Sequence, residues 1–246
     1  LVNQKVKKLN RVKIDPFTVP NEEKVKYIQE LYDDAKDVSK YIVQIITMLA
    51  MKKQEVEIFN TLGKVVKDTR YNTRIMIQVV ASNGKDMQTM FDSYGRHKGL
   101  EMMDKINLTK FGKKTAQTAV KILKADEMIG QELPVVIDNG FGGVILHEAC
   151  VHSLEATSVA KGLSVFANKL GEKIASDVVT AIDDGTLKNS WGSLNVDDEG
   201  NPTQRNVLIE NGVLKSYLFD YRNQRRVNHP LTGSGRRESY KYSPTS

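Results

Sequence analysis

The stretch TRIMIQVVASNGKDMQTMF, residues 73–91, predicts a β-hairpin. Two runs rich in β-branched and apolar residues flank Asn83-Gly84, and this dipeptide between such runs is typical of a tight turn. Upstream, residues 55–59 alternate polar and apolar side chains before a turn-like segment at 61–63. Residues 41–94 are therefore expected to form an antiparallel sheet with one polar face.

One helix is predicted before this sheet in the sequence and one after it. Asn21 is expected to be the N-cap of a helix that runs to about Lys36. A second helix is predicted over Phe111–Leu123. Apolar residues recur at helical spacing in both segments: Val25, Ile28, Leu31, Tyr32 and Ala35 in the first, and Ala116, Ala119, Val120 and Leu123 in the second.

The remainder of the chain predicts a second α+β unit. Residues 133–137 are apolar and β-branched, as in a buried strand, and lead through the glycine-rich segment 140–143 into a helix that carries His147 and His152. A domain boundary is expected near Glu132. Shorter signals follow it: strands at 177–182 and 206–209, a hairpin turn at Asn211-Gly212 and a helix over 218–226. Because hairpins and helices segregate, the fold class is α+β.

Composition narrows the function classes. The chain has 246 residues, of which 40% are hydrophobic, and its mean hydropathy is −0.40. A packed core is expected, and no apolar run reaches the roughly 18 residues of a membrane span. The formal charge is +6 and the pI about 9.2, but basic residues form no stripe interleaved with aromatic residues, so direct nucleic-acid binding is not expected. The single cysteine, Cys150, excludes an internal disulfide framework.

The motif His147-Glu148-Ala149-Cys150-Val151-His152 predicts a metal site. Hydrolytic zinc sites combine imidazole ligands with a carboxylate base, and the familiar spacing puts the two histidines four residues apart. Here they are five apart, which is about 140° around an ideal helix and too far to share one ion. A π-type turn would bring both rings to the same side. The metal hypothesis therefore predicts a distorted helix between His147 and His152.

Several alternatives stay open at the level of spacing. The two histidines also fit a partly buried helix without metal, and Glu148 would then be a surface acid. Cys150 fits a buried structural role better than a ligand role. Glu155 fits either a contact with the ion or with His152, or a solvated position.

Ordered blocks of sequence resemble the TldD/PmbA family, and its catalytic TldD-type members in particular. They are Leu133-Pro134-Val135-Val136, Gly142-Gly143, the motif itself, Leu154-Glu155-Ala156, Val159-Ala160-Lys161-Gly162, Ser164-Val165-Phe166, Ile174-Ala175-Ser176, Asp183-Asp184-Gly185-Thr186, Gly192-Ser193, Asp197-Asp198-Glu199-Gly200 and 232–240. A fainter similarity covers residues 55–94. Val151 and Thr157 depart from the family, which usually has glycine and aspartate there, and Val151 is expected to resist an unusual turn.

The resemblance implies a zinc metallopeptidase. His147 and His152 would be zinc ligands and Glu148 the general base. The third ligand would be a cysteine beyond residue 246, and no cysteine follows His152 in this chain. The expectation is a fragment that lacks both ends and is inactive by itself. Residues 1–131 would be the C-terminal part of the family's N-terminal α+β domain, and 132–246 the first part of an incomplete catalytic domain.

The resemblance also implies partners and a compartment. Substrates would be short, unfolded peptides, and the protein would form a homodimer or a heterodimer with a related subunit in the cytoplasm. No membrane association is expected, and the family's historical link to DNA gyrase would be indirect. The alternative is a non-catalytic peptide-binding or partner subunit of the same fold.

Overall fold

The computed structural model describes residues 2–246. The regular elements are β1 (Val2–Asn3), α1 (Asn21–Lys36), β2 (Ile42–Phe59), β3 (Lys64–Ser82), β4 (Met87–Arg96), α2 (Leu108–Leu123), α3 (Gly143–Leu146), α4 (Ala156–Val159), β5 (Ala181–Asp184), β6 (Arg205–Glu210), β7 (Val213–Leu214) and α5 (Tyr221–Val227). The class is α+β, as predicted, with antiparallel pairing in both sheets.

The first sheet is built on β3, which is the longest strand. β2 pairs antiparallel with β3 along nearly its whole length, and β4 pairs antiparallel with the second half of β3. β1 adds a short parallel contact at Lys64. The turn at Asn83-Gly84 joins β3 and β4 as predicted, and Gly84 has the positive φ that such turns need.

Helices α1 and α2 cover one face of this sheet. Because successive side chains of a strand point to opposite faces, Ile75, Ile77 and Val79 share the face that the helices bury. The opposite face is mixed rather than polar: Ile46, Met48 and Phe91 are 44%, 51% and 49% exposed. The predicted polar face is thus wrong in part.

Two further local predictions need correction. The N-cap of α1 is Pro20, without a side-chain cap bond, and Asn21 is the first helical residue. Val25 and Tyr32 are exposed, so the buried stripe of α1 narrows to Leu31 and Ala35 with its partly buried neighbours.

The buried strand predicted at 133–137 is absent. The whole stretch is exposed irregular chain, and Val136 is fully exposed. A strand needs a neighbouring backbone with which to pair, and none of the described strands lies alongside it. Further on, β5 begins four residues later than the predicted start at 177, and α5 begins at Tyr221 rather than 218.

The second sheet has the order β5-β6-β7 and lies on a second core. Its β6–β7 hairpin turns at Asn211-Gly212, as predicted, with φ values of 49° and 79°. Buried polar contacts join this part to the first sheet. Arg70 on β3 binds Asp198 and the Val196 carbonyl, and Asn195 donates to Asp68.

His97 completes this junction. Its ring is buried, Nδ1 lies 2.8 Å from the Ser193 carbonyl oxygen, and Nε2 accepts from the Tyr71 N–H. Burial lowers the pKa of His97, because the charged imidazolium would lose its water.

Candidate metal centre

The predicted helix distortion is present. Residues 140–154 run through a short 3-10 turn, α3, a π-helical turn over His147–Val151 and a final 3-10 turn. The His152 N–H donates to the carbonyl oxygen of His147, five residues earlier, which is the hydrogen bond of a π turn. The extra residue removes the angular offset that separates the two histidines on an ideal helix.

The π turn brings three side chains to one point. One potential ligand atom each from His147, Glu148 and His152 lies within 4.8 Å of the others. The two imidazole centroids are 4.3 Å apart, and a Glu148 carboxylate oxygen lies 3.7 Å from His152 Nε2. All three side chains are exposed, so solvent reaches this point. Two imidazoles beside a carboxylate are a donor set that fits a borderline metal such as zinc.

Val151 does not prevent the π turn. It has φ −66° and ψ −41°, an ordinary helical conformation that a β-branched residue accepts. The expected resistance of Val151 is therefore wrong. Its side chain packs with that of Cys150 against the second core.

Cys150 is placed away from the ligand cluster. Its thiol is half-buried, and burial raises its pKa, which disfavours the thiolate form that binds metals. Within the described residues the cluster has no thiol member. The structural role predicted for Cys150 agrees with this packing.

Leu154 and Glu155 end the helical segment in different environments. Leu154 is fully buried in the second core and fixes the π turn to it. Glu155 Oε1 lies 2.7 Å from His152 Nδ1. Of the two alternatives for Glu155, the structure thus favours the contact with His152.

Sequence reasoning missed a group of buried carboxylates. Asp197 and Asp220 are fully buried, and the carboxylate of Glu199 is close enough to interact with both. Glu199 Oε2 accepts a hydrogen bond from the Tyr221 N–H at 2.7 Å. Burial and the neighbouring Asp197 and Asp220 raise the pKa of Glu199 to about 7. Their only signal in the sequence is the density of acidic residues at 197–199, because Asp220 and the Tyr221 N–H come from a separate segment of the chain.

The segment 232–240 contacts Asp197 of this group and the adjacent Asp198: the Gly235 N–H donates to Asp197 and the Arg237 N–H to Asp198. Thr157, the other departure from the family pattern, bonds Thr245 through its hydroxyl at 2.9 Å.

The paired imidazoles and their distorted helix lie within a region that matches a family of metallopeptidases. Residues 130–246 match the PmbA/TldA metallopeptidase C-terminal domain, and residues 14–123 match the central domain. The chain belongs to the TldD/PmbA family.

Two relatives illustrate the similarity. The metalloprotease TldD homolog of Haemophilus influenzae is 37% identical over 238 residues, covering 94% of this chain and 49% of that protein. The metalloprotease TldD homolog of Buchnera aphidicola subsp. Acyrthosiphon pisum is 36% identical over 223 residues, covering 85% of this chain and 45% of the Buchnera protein. The chain spans about half the length of the curated relatives it matches.

Solved structures share the fold. A Thermotoga maritima protein whose structure is described as a modulator of a DNA gyrase has a TM-score of 0.83 at 21% identity. The match covers 98% of this chain and 54% of the Thermotoga chain. TldE from Thermococcus kodakarensis has a TM-score of 0.64 at 24% identity, and the match covers 92% of this chain and 49% of TldE.

No helix in the described part of the chain combines the length and apolarity that crossing a bilayer requires.

Proposed function

We propose that this chain carries the metal-binding helix of a zinc-dependent peptidase that hydrolyses short, unfolded peptides. The observation that supports the proposal is the π turn that directs His147 and His152 to a common point with Glu148 beside them. A bound zinc ion supplies Lewis acidity and lowers the pKa of a water molecule.

The chain's own residues would hold the ion and move the proton. His147 and His152 are the protein ligands of this chain, and Glu148 is the general base. Its carboxylate is exposed and lies on the Nε2 side of His152, so it can accept a proton from an attacking water and donate it to the leaving amine.

An open strand edge supports unfolded peptides as substrates. Among the described strands β2 pairs only with β3, and a groove of about 780 Å³ lies between residues 52–59 of β2 and residues 236–240. A strand edge binds an extended backbone with little preference for side chains. The metal-binding residues do not line this groove, so it would hold a part of the peptide away from the scissile bond.

We further propose that the protein acts in the cytoplasm as a homodimer or as a heterodimer with a related subunit. A free, half-buried cysteine is compatible with a reducing compartment. Sedimentation of the purified protein, alone and with its related subunit, tests the assembly.

The test of catalysis has two parts. The isolated chain is expected to bind zinc weakly and to hydrolyse little, because two imidazoles are fewer than the three protein ligands of catalytic zinc sites. Stoichiometric zinc binding at nanomolar affinity would contradict this. In the full-length protein that contains this chain, Glu148→Gln is expected to abolish peptide hydrolysis and retain zinc. Undiminished turnover would remove Glu148 as the base.

The second candidate is a non-catalytic peptide-binding or partner subunit of the same fold. The exposed cluster of only two imidazoles and one carboxylate favours it. Metal analysis of the full-length protein separates the two candidates: one zinc per chain supports the peptidase, and a metal-free protein that still binds unfolded peptides supports the partner subunit.

A further inference from the structure

His152 lies between two glutamates that face its two ring nitrogens. Glu155 Oε1 is 2.7 Å from Nδ1, a hydrogen-bond distance. Glu148 Oε2 is 3.7 Å from Nε2, too far for a direct bond. Nε2 is therefore the nitrogen on the side of Glu148 and the candidate metal position, and Nδ1 points away from it.

The backbone explains why Glu155 is in this position. The helical segment ends at Leu154, and Glu155 is extended with φ −73° and ψ 129°. The Leu218 N–H donates to the Leu154 carbonyl, and the Ala156 N–H donates to the Leu218 carbonyl, at 3.0 and 2.8 Å. Because side chains alternate along an extended segment, the fully buried Leu154 and Ala156 face the core and Glu155 faces the other way, toward the ring.

The two glutamates also differ in exposure. The Glu155 side chain is 26% exposed, whereas the Glu148 side chain is 65% exposed. Glu148 belongs to the π turn itself, while Glu155 is held at the second core through the backbone pairing with Leu218, a member of that core. Glu155 therefore connects the His152 ring to the second core.

The chemistry of the contact selects one form of the imidazole. An ionised carboxylate only accepts hydrogen bonds, so the bond at 2.7 Å requires the proton on Nδ1. A neutral ring with a proton on Nδ1 carries its lone pair on Nε2, and a metal binds that lone pair. Carboxylates commonly orient metal-ligating histidines in this way.

We propose that Glu155 is a positioning residue: it holds the proton of His152 on Nδ1 and keeps the Nε2 lone pair directed to the point shared with His147. The inference about the metal rests on the proposed function. The tautomer of His152 does not, because it is a property of the metal-free chain.

The first experiment measures this tautomer by ¹⁵N NMR of the imidazoles in the metal-free chain at pH 8. A His152→Asn variant assigns the His152 signals. The parent is expected to show a protonated Nδ1 and an unprotonated Nε2, and Glu155→Ala is expected to shift the ring toward the Nε2–H form. The matched control is Glu132→Gln, at an exposed glutamate outside the helix, with unchanged His152 signals. An Nε2–H ring in the parent, or an unchanged ring in Glu155→Ala, would overturn the proposal.

The second experiment measures zinc affinity in the full-length protein that contains this chain, by competition with a chromophoric chelator. Glu155→Ala is expected to weaken zinc binding about 10- to 100-fold. Glutamine has the same size as glutamate and retains an acceptor oxygen. The Glu155→Gln variant should therefore fold even if Glu155→Ala does not, and its zinc affinity should fall less than that of Glu155→Ala. Unchanged affinity in both variants would overturn the proposal and leave the metal site intact. If the metal-free chain shows the expected tautomer but the full-length parent binds no zinc, the proposed function is contradicted and the positioning role stays in place.

Discussion

Glu199→Gln is expected to change the pH dependence of stability. Glu199 lies with the fully buried Asp197 and Asp220, and its Oε2 accepts a hydrogen bond from the Tyr221 N–H. Burial raises the pKa of Glu199, and the two neighbouring carboxylates raise it further, from 4.5 to about 7. Glutamine retains the hydrogen bond and carries no charge at any pH.

The sign and the size of the effect follow from this shift. A carboxyl whose pKa is raised by folding stabilises the folded state most below pH 4.5, and this contribution is lost as the pH rises through about 7. A shift of this size corresponds to about 3 kcal/mol for a fully buried group. Glu199 is only partly buried, so solvent screening reduces the expected effect to about 1–2 kcal/mol.

Urea unfolding at pH 5 and pH 8 measures the effect. The parent and Glu199→Gln are expected to have similar free energies of unfolding at pH 5, and the variant is expected to be more stable at pH 8 by about 1–2 kcal/mol. The control, Glu132→Gln at an exposed glutamate, should show no such difference. A Glu199→Gln variant that is less stable at pH 8, or that differs equally at both pH values, would refute the reasoning.

Three further changes have defined outcomes. The pKa of His97 is lowered because its ring is buried, so its contribution to stability is present above about pH 6.5 and is lost as the pH falls. His97→Gln should reduce this loss of unfolding free energy at acid pH, as measured by urea unfolding. An unchanged loss would count against a buried neutral imidazole. Leu154→Ala should lower the free energy of unfolding by about 2–5 kcal/mol, because the side chain is fully buried. The control Leu163→Ala, at an exposed position, should lower it by about 0.5 kcal/mol or less. Equal losses in the two variants would contradict the packing of Leu154. Gly212→Ala should lower Tm more than Gly84→Ala. Both glycines have positive φ, but only a Cβ at position 212 would meet a carbonyl oxygen, that of Ala175 at 2.4 Å. A larger loss of Tm in Gly84→Ala would contradict the turn geometry.

Features encoded by neighbouring residues could be predicted from the sequence. The turns at Asn83-Gly84 and Asn211-Gly212 depend on residues that accept positive φ, and both form as expected. The π turn was predictable for a different reason. The two histidines are five residues apart, and only a widened turn puts both rings on the same side.

Features that depend on distant segments could not be predicted. Residues 133–137 have the composition of a buried strand, but strand formation requires a neighbour that the local sequence does not specify. The position of Glu155 depends on pairing with Leu218, and spacing alone left its role open. The raised pKa of Glu199 depends on burial and on acids that only the folded chain brings together.

The most direct test of the central claim is anomalous diffraction at the zinc edge from crystals of this chain grown with zinc. We expect one anomalous peak at about 2.0–2.1 Å from a ring nitrogen of both His147 and His152, on the Nε2 side of His152. A regular α-helical turn with the two rings on different sides, or a zinc ion bound elsewhere with this pair empty, would contradict it.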